Sequence, residues 1–548
     1  MAYLKNVLSR KQTPQSQPIP GTAQGPNSAG GYTWHVDDWT RLNRFLILGC
    51  EGGSYYASAQ KLALENAQAV IRCLAADGPR TVRTVVEVSE AGRAPKQDPA
   101  LFALALATTD HADPATRREA LAALPRVCRI GTHLFQFAAH VDGMRGWGRG
   151  LRSAVAAWYA REPGEVAFQA VKYQQRDGWS HRDLLRLAHP QADPDSSLQT
   201  VYHWITRGWE TVPAELPADA SLRLVWAWER AKRAESVAEI VALVREHRLP
   251  REAVPTQWLT HAEVWDALLD DMPMMALIRN LATLTRVGVV APGSDGTHRV
   301  LAQLRDEKRL RAARVHPIVV LGALGTYRQG RGVRGQGVWT PVQAVVDALD
   351  AAFYAAFGSV ESTGKRWLLA LDVSGSMGCG QIGGMPGVSP RVGSAAMAMV
   401  TARREADYTI VGFTSGSGGL GGRWGGGTPG LTPIPISPRQ RLDDVVQAVG
   451  ALPMGGTDCA LPMLWAMQQR VAADVFVVYT DNETWAGDIH PMQALREYRD
   501  RMGIPAKLIV VGMLANPFTI ADPNDAGMLD VVGFDTAAPA VMADFAKG

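Results

Sequence analysis

The sequence has little cysteine and no long apolar run, and both shortages limit the class of protein it encodes. Its five cysteines are scattered through 548 residues and never form a C-x-x-C pair: Cys50, Cys73, Cys128, Cys379 and Cys459. That distribution argues against a disulfide framework or a cysteine zinc site and indicates a reducing compartment. No apolar run reaches the ~18 residues of a membrane span, and the first ten residues lack the apolar centre of a signal peptide. We therefore expect a cytoplasmic protein with no membrane partner.

An excess of charge of one sign is also missing. The net charge is +3, with 20% of the residues charged and 47% hydrophobic, as in an ordinary soluble protein. Residues 365–548 hold 14 Lys and Arg against 17 Asp and Glu and so carry −3, whereas residues 1–364 carry +6. A solvated surface of mixed charge would explain so small a difference. A polyanionic partner should nevertheless prefer the N-terminal part.

Composition and hydrophobic pattern divide the chain into three segments. Residues 1–31 are rich in Gln, Pro, Gly and Ser, which predicts a mobile tail. Residues 32–364 show successive amphipathic stretches separated by short breakers such as Asp77-Gly78-Pro79, which predicts a HEAT-like helical-repeat stack. Residues 365–548 alternate strands with helices, which predicts a mainly parallel sheet covered on both faces. The predicted fold is multidomain, an all-α repeat part followed by a doubly wound α/β domain.

Within the last segment, apolar runs place strands near residues 367–371, 407–413, 474–480, 507–512 and 530–534. Residues 416–430 contain nine glycines, which predicts a long flexible loop on the same domain.

A set of oxygen-bearing side chains lies at the ends of two of these strands. Asp372, Ser374 and Ser376 follow the first strand in the pattern D-x-S-x-S, and Asp481 ends the third. Thr457 lies in a Gly-Gly-Thr-Asp loop between them. Such ligands suit Mg²⁺, and the set resembles the metal-ion-dependent adhesion site of von Willebrand factor A domains. The alternative is that Asp372 and Ser374 only cap the following helix.

Several longer segments, together with this metal motif, make the chain similar to the Ro autoantigen family, with a composition that suggests a bacterial member. The matching segments include Gly30-Gly31-Tyr32, Asp38-Trp39, Glu51-Gly52-Gly53-Ser54-Tyr55-Tyr56, Gly178-Trp179-Ser180-His181-Arg182-Asp183-Leu184 and Arg314-Val315-His316-Pro317.

The resemblance implies a ring of HEAT-like helices, the TROVE module, formed within one monomer and closed by a von Willebrand factor A domain. Members of the family bind small non-coding Y RNAs on the outer surface. They hold single-stranded 3′ ends of misfolded or immature RNA in a central hole, and so act in RNA quality control and maturation. By the same analogy, a 3′→5′ exoribonuclease is an expected protein partner.

One stretch is a candidate site for structured RNA. Lys172 and Arg176 are spaced i, i+4, so on a helix they would share one face, as contacts to phosphates require. With His189 they match positions that contact Y RNA in the family. The alternative is an ordinary solvated face and a histidine with a structural role.

A second stretch is basic, glycine-rich and aromatic, which suits single-stranded RNA because bases stack and cations follow the backbone. Beside Tyr327 it contains Arg305, Arg309, Arg328, Arg331 and Arg334. Asp306 and Glu307 lie within the same run. A helix with paired surface charge therefore explains the pattern equally well.

The sequence favours an RNA-binding protein that is not an enzyme. A nuclease needs clustered carboxylates that hold metals, or a histidine acid–base pair. The one convergent carboxylate site in this sequence has serine and threonine partners instead. The alternative function is a Mg²⁺-dependent protein-interaction scaffold of the adhesion type, with RNA binding secondary or absent. RNA binding that survives chelation would favour the first function.

Overall fold

The computed structural model describes residues 12–50, 55, 58–210, 212–332, 337–358, 360–415 and 430–548. Arg334 and all but the last residue of the glycine-rich stretch 416–430 lie outside the described residues, so the predictions made for them stay predictions. Among the helices of the described residues, none combines the length and the apolar character needed to cross a membrane.

The first two thirds of the chain form successive helices, as the hydrophobic pattern predicts. They are α1 Asp38–Leu48, α2 Ala59–Glu90, α3 Asp98–Leu106, α4 Pro114–Val127, α5 Gly131–Met144, α6 Arg149–Tyr159, α7 Pro163–Lys172, α8 His181–Ala188, α9 Ser197–Arg207, α10 Ala220–Ala231, α11 Val237–His247, α12 Ala262–Asp270, α13 Met274–Arg286, α14 Asp295–Leu304, α15 Glu307–Ala312, α16 Pro317–Gln329 and α17 Gln343–Ala355.

Alternate helices of this series stack on one another, α2 on α4 and α3 on α5, which is the packing of a helical repeat. The predicted breaker inside α2 is confirmed. Asp77 leaves the helical region (φ −157°, ψ 88°) two residues before Pro79, because a proline inside a helix removes one hydrogen bond and clashes with the preceding turn.

The C-terminal domain is built on a six-stranded sheet. Its strands are β5 Arg366–Asp372, β6 Asp407–Phe413, β7 Leu431–Pro433, β8 Val475–Thr480, β9 Lys507–Gly512 and β11 Met528–Val532. They lie in the order β11-β9-β8-β5-β6-β7 and are parallel except for β7. All five predicted strands are present, and the last begins two residues earlier than predicted. Five helices cover the sheet: α18 Pro390–Arg404, α19 Leu442–Gly450, α20 Leu461–Gln468, α21 Pro491–Met502 and α22 Ala538–Lys547.

Successive residues of β5 supply two separate cores, because side chains alternate between the faces of a strand. Leu369 and Leu371 belong to the core that includes α18 and α19 and continues into the helical part. Leu368 and Ala370 belong to a second core, which includes α20 and α21. Trp34, from the start of the chain, is buried in that second core.

The predicted mobile tail is wrong for residues 12–31. Gln15 and Asn27 are buried (0% and 7% exposed), and the short strands β1 Gly25–Pro26 and β2 Tyr32–His35 pair with each other. β2 also pairs with β10 Phe518–Thr519 of the C-terminal domain. The segment has the polar composition of a tail, but its polar side chains bind another domain. The Gln15 amide, for example, bonds Asp458, which lies 443 residues later in the chain.

Both early and late helices of the repeat part contact the C-terminal domain. After α2, Arg93 forms an ion pair with Asp535 at 2.6 Å. In α17, the carboxylate of Asp350 accepts the backbone N–H of Leu442 at 2.9 Å and a hydrogen bond from Arg403 at 3.0 Å. The two parts are therefore held together at more than one place.

Candidate metal centre and nucleic-acid surface

The five predicted metal ligands lie at the carboxyl-terminal edge of the sheet. Adjacent parallel strands β5 and β8 end at Asp372 and just before Asp481, so both carboxylates reach the same edge. All five side chains belong to buried residues: Asp372, Ser374, Ser376, Thr457 and Asp481.

Hydrogen bonds gather three of these residues into one turn. The backbone N–H of Ser374 donates to Asp372 Oδ1 at 2.9 Å, and the hydroxyls of Ser374 and Ser376 are 3.2 Å apart. The hydroxyl of Thr480, next to Asp481, donates to Asp372 Oδ2 at 2.7 Å. The Thr457 loop joins the same turn, because the N–H of Gly375 donates to Gly455 O at 3.2 Å.

The alternative role of Asp372 and Ser374 as helix caps finds no support in these contacts. The turn leads into a 3₁₀ segment, Ser376–Gly378, which starts after Gly375 and receives no hydrogen bond from a capping side chain. The oxygens of Asp372 are used instead within the turn and by Thr480.

Electrostatics at this edge favour a bound cation. Burial, and then the charge of Asp481, raise the pKa of Asp372 to about 7. Burial likewise raises the pKa of Asp481, whose Oδ2 is buried and has no hydrogen-bond partner among the described residues. A divalent cation would balance both charges and use the orphaned oxygen. The donor set of two carboxylates and three hydroxyls therefore fits Mg²⁺.

Arg391 of α18 supports the turn, and sequence reasoning missed it. Its guanidinium donates to the carbonyl oxygens of Val373 and Ser374, the latter at 3.1 Å, and the residue is buried. No local pattern in the sequence marks it, because the contact depends on how α18 packs beside β5.

The structure contradicts the predicted helical pairing of Lys172 and Arg176. α7 ends at Lys172, and Arg176 lies in β3 Gln175–Arg176, which pairs with β4 Trp179–Ser180. The turn between them has positive φ at Asp177 (51°) and Gly178 (82°). Asp-Gly is the preferred pair for such a hairpin turn, so the sequence did contain the signal that should have outweighed the i, i+4 spacing.

The three residues predicted to contact structured RNA differ in their exposure to solvent. Arg176 and His189 are exposed, and His189 follows the last turn of α8 with φ 48°. Lys172 is half-buried, with its ammonium 5.3 Å from the ring of Phe168 and 5.4 Å from that of Tyr173. This burial lowers the pKa of Lys172.

His181 is a core residue, although it lies between Arg176 and His189, two of the residues predicted to contact structured RNA. It is 3% exposed and hydrogen-bonds through Nδ1 to the hydroxyl of Tyr159 at 2.7 Å. Burial lowers the pKa of His181 to about 4, so the ring is neutral at pH 7 and unavailable to phosphate.

Sequence reasoning also missed a cavity of about 300 Å³ beside the hairpin, lined by α8, α9 and α10. Arg182 and Arg207 line it and are exposed. Lys232 lines it as well, but its ammonium bonds the Glu229 carboxylate at 2.9 Å and lies 3.5 Å from the ring of Trp228. The two arginines are separated by 25 positions in the sequence, so no motif reveals that they line one cavity.

The second basic stretch does not form one free cationic surface. Arg309 donates to Met272 O at 2.7 Å, and Arg328 pairs with Asp443 of the C-terminal domain at 2.8 Å. Tyr327 is 2% exposed, with its hydroxyl 2.8 Å from that of Thr285, so it cannot stack on a base. Arg305 and Arg331 are exposed. The alternative of paired surface charge thus holds for part of the stretch.

Comparisons with known proteins agree with this architecture. The TROVE domain family matches residues 25–325, and the Ro60 vWA (von Willebrand factor A) domain family matches residues 366–546. The chain is 44% identical over 546 residues to RNA-binding protein RO60 of Deinococcus radiodurans, covering 99% of this chain and 98% of that protein. It is 35% identical over 611 residues to RNA-binding protein RO60 of Caenorhabditis elegans, covering 98% and 92%.

A solved structure is also similar. The crystal structure of the Deinococcus radiodurans RO (RSR) protein aligns with a TM-score of 0.69 at 44% identity, over 93% of this chain and 100% of that chain. It supports the arrangement of a helical-repeat part followed by a von Willebrand factor A domain.

Proposed function

The chain belongs to the Ro60 family of RNA-binding proteins, which are not enzymes, and from that premise we propose that it binds a small structured RNA of the Y-RNA type. The binding surface is the hairpin at the end of α7 together with the cavity beside it. We call this the hairpin surface and define it by five residues: Lys172, Arg176, Arg182, His189 and Arg207.

One observation carries the proposal, the concentration of exposed cations around an exposed hairpin. Arg176, Arg182 and Arg207 are all exposed, and the two that line the cavity could hold a phosphate between them. Guanidinium groups suit phosphate because they donate two parallel hydrogen bonds. Contacts of this kind position an RNA without reading its sequence.

The family also suggests a second RNA site, for single-stranded 3′ ends of misfolded or immature RNA in a central hole. Arg305, Lys308 and Arg331 are among the exposed basic residues that could serve it. Such a site would give the protein a part in RNA quality control and maturation, in the cytoplasm and together with a 3′→5′ exoribonuclease.

The metal centre completes the proposal. Asp372, Ser374, Ser376, Thr457 and Asp481 would hold one Mg²⁺, partly through water, because Mg²⁺ gives up its hydration shell reluctantly. The bound ion would offer an open position to the carboxylate of a protein partner.

A second function, that of a metal-dependent protein-interaction scaffold, is favoured by the surroundings of this centre. Met454 and Trp485 are 64% and 41% exposed, and exposed apolar side chains that lie together can mark a protein-contact surface. Met454 lies three residues before Thr457, and the Trp485 ring packs against Gly456. Such a rim suits a protein partner better than an RNA.

Titration of a small hairpin RNA, with and without a 3′ overhang and with and without EDTA, tests these functions. We expect binding to survive EDTA and to strengthen with the overhang. Lys172→Ala combined with Arg176→Ala should weaken binding and reduce the salt slope by about two. Arg83→Ala with Arg118→Ala is the matched control, because it removes the same charge from exposed positions of α2 and α4. Equal losses in both double variants would reject the hairpin surface.

A further inference from the structure

A glutamine from the start of the chain joins the two loops that carry metal-site residues. Gln15 is 0% exposed. Its amide nitrogen donates to Asp458 Oδ1 at 2.7 Å and to Ile489 O at 2.8 Å, and its amide oxygen accepts from the hydroxyl of Thr484. One side chain thereby forms hydrogen bonds with polar groups of both loops.

These two loops supply Thr457 and Asp481. Asp458 is the residue after Thr457, and Thr484 follows Asp481 by three positions. The loops also touch directly, because Thr457 O accepts the N–H of Trp485 at 3.1 Å. The Gln15 amide bonds the same two loops, through Asp458 and Thr484, and so restrains the distance between them.

Other residues of the segment contact the second loop and the start of α21. The amide nitrogen of Asn27 donates to Thr484 O at 2.8 Å, and the backbone N–H groups of Ser28 and Ala29 donate to one Glu483 oxygen at 2.8 and 3.2 Å. At Gly31 a Cβ atom would lie 1.9 Å from Thr484 O, so the backbone approach requires glycine. Residues 13–31, which we call the strap, are thus fitted to the loop that follows Asp481.

We propose that the strap is a positioning element of the metal centre and that Gln15 is its central positioning residue. The inference rests on the proposed Mg²⁺ site. Mg²⁺ demands near-octahedral geometry, so its affinity depends on how well Thr457 and Asp481 are held relative to the D-x-S-x-S turn. Residues that hold metal ligands in place commonly change metal affinity about 10–100-fold when they are replaced.

The coupling must work in both directions. If docking of the strap raises the affinity for the ion, binding of the ion must stabilise the docked strap by the same factor. The strap leads through β2 into α1, so occupancy of the metal centre would also influence how firmly the start of the helical part is held on the C-terminal domain.

The test compares Gln15 with Gln12, a glutamine just outside the strap. Gln15→Met keeps the size of the side chain but removes the amide that joins the loops. Gln12→Met is the matched control, because among the described residues the Gln12 amide bonds only the partly buried Glu497 carboxylate of α21, a helix that carries none of the proposed metal ligands. Mn²⁺, which prefers the same ligands as Mg²⁺, is titrated by calorimetry into each full-length protein. We expect the Mn²⁺ dissociation constant to rise about tenfold or more in the first variant and to stay unchanged in the second.

A second measurement uses the unaltered protein, in case Gln15→Met does not fold. Hydrogen exchange at the N–H groups of Gln15, Ser28 and Ala29 should slow when Mn²⁺ is added. Equal Mn²⁺ affinity in the wild type and Gln15→Met, or exchange in the strap that ignores Mn²⁺, would overturn the inference while leaving the metal site intact. A wild-type protein that binds no Mn²⁺ would overturn both the metal site and the role of the strap.

Discussion

Arg44 of α1 donates two hydrogen bonds to the Asp530 carboxylate of β11, at 2.6 and 2.7 Å, and its guanidinium is fully buried. The same side chain also donates to the carbonyl oxygens of Asn516 and Phe518, at 2.8 and 2.7 Å. Both carbonyls belong to the C-terminal domain, so the first helix of the repeat part is anchored there by a charged group that water cannot reach.

Removing one partner of this pair should destabilise the protein strongly. Asp530→Ala leaves the Arg44 charge buried without its counterion, which costs about 3–5 kcal/mol, so the melting temperature should fall by several degrees. Arg44→Met combined with Asp530→Leu removes both charges and should recover much of that loss. If the double variant melts as low as Asp530→Ala, the pair does not act through buried charge.

Arg328 offers a contrasting case, because it is predicted to contact RNA and in the structure pairs with Asp443 and Asp444 across the domain boundary. Its replacement by alanine should leave affinity for single-stranded RNA nearly unchanged and lower stability by no more than about 1 kcal/mol, since the pair is partly exposed. Lys308→Ala removes an exposed charge from the same stretch and should weaken single-stranded RNA binding more. A larger loss from Arg328→Ala in a filter-binding assay would restore Arg328 as an RNA contact.

The metal-site edge could be predicted because its determinants are local and the fold brings them together. Asp372 and Asp481 each come at the end of a buried strand, and the carboxyl ends of neighbouring parallel strands meet at one edge of the sheet. These two features are enough to predict that the two carboxylates lie close together. Thr457 could be recognised because it follows two glycines in a loop that lies between these two aspartates in the sequence. Arg391 was not, because its contact with the turn depends on the packing of a helix.

At two other places the local sequence pattern led to a wrong prediction, and the structure shows the reason. The i, i+4 spacing of Lys172 and Arg176 predicted a helix face, but Asp177-Gly178 turns the chain into a hairpin. Residues 12–31 have the composition of a tail, yet Gln15 binds a carboxylate 443 residues away. No single-sequence pattern contains such a pairing, because it is made by the tertiary structure alone.

Stability should fall in mild acid through buried histidines. Burial lowers the pKa of His181 and of His316 to about 4, below the unfolded value of about 6.5. The unfolded chain therefore binds protons more readily, so stability is full above about pH 6.5 and declines toward pH 4, by up to about 3 kcal/mol for each ring. His181→Gln, which cannot be protonated, should melt lower at pH 7.5 but lose less between pH 7.5 and pH 5. An unchanged pH slope would contradict this assignment.

Divalent metal should raise the melting temperature through the proposed Mg²⁺ site. Asp372→Ala should abolish that rise, because it removes a carboxylate ligand, and it should leave the affinity of the hairpin surface for RNA nearly intact. Asp407→Ala is the control, since Asp407 is an exposed acid at the opposite end of the strands. Full metal-dependent stabilisation of the Asp372 variant in differential scanning fluorimetry would show that the ligands are assigned wrongly.

The cavity beside the hairpin allows the sharpest test of the RNA proposal, because its three cations are not equivalent. The ammonium of Lys232 is paired with Glu229, which it shares with Arg233, and lies against the ring of Trp228. Arg182 and Arg207, in contrast, are exposed and have no acidic partner among the described residues. Only the two arginines should therefore release counterions from RNA when it binds.

Arg182→Ala and Arg207→Ala should each weaken binding of a small hairpin RNA and reduce the slope of log affinity against log salt by about one. Lys232→Ala removes the same formal charge from the same cavity and should change neither quantity by a comparable amount. Contact with a phosphate would distinguish the two arginine variants from the Lys232 variant. General attraction to a basic surface would not. If all three alanine variants reduced the slope equally, the cavity would act through net charge alone, and a phosphate held between the two arginines would be ruled out.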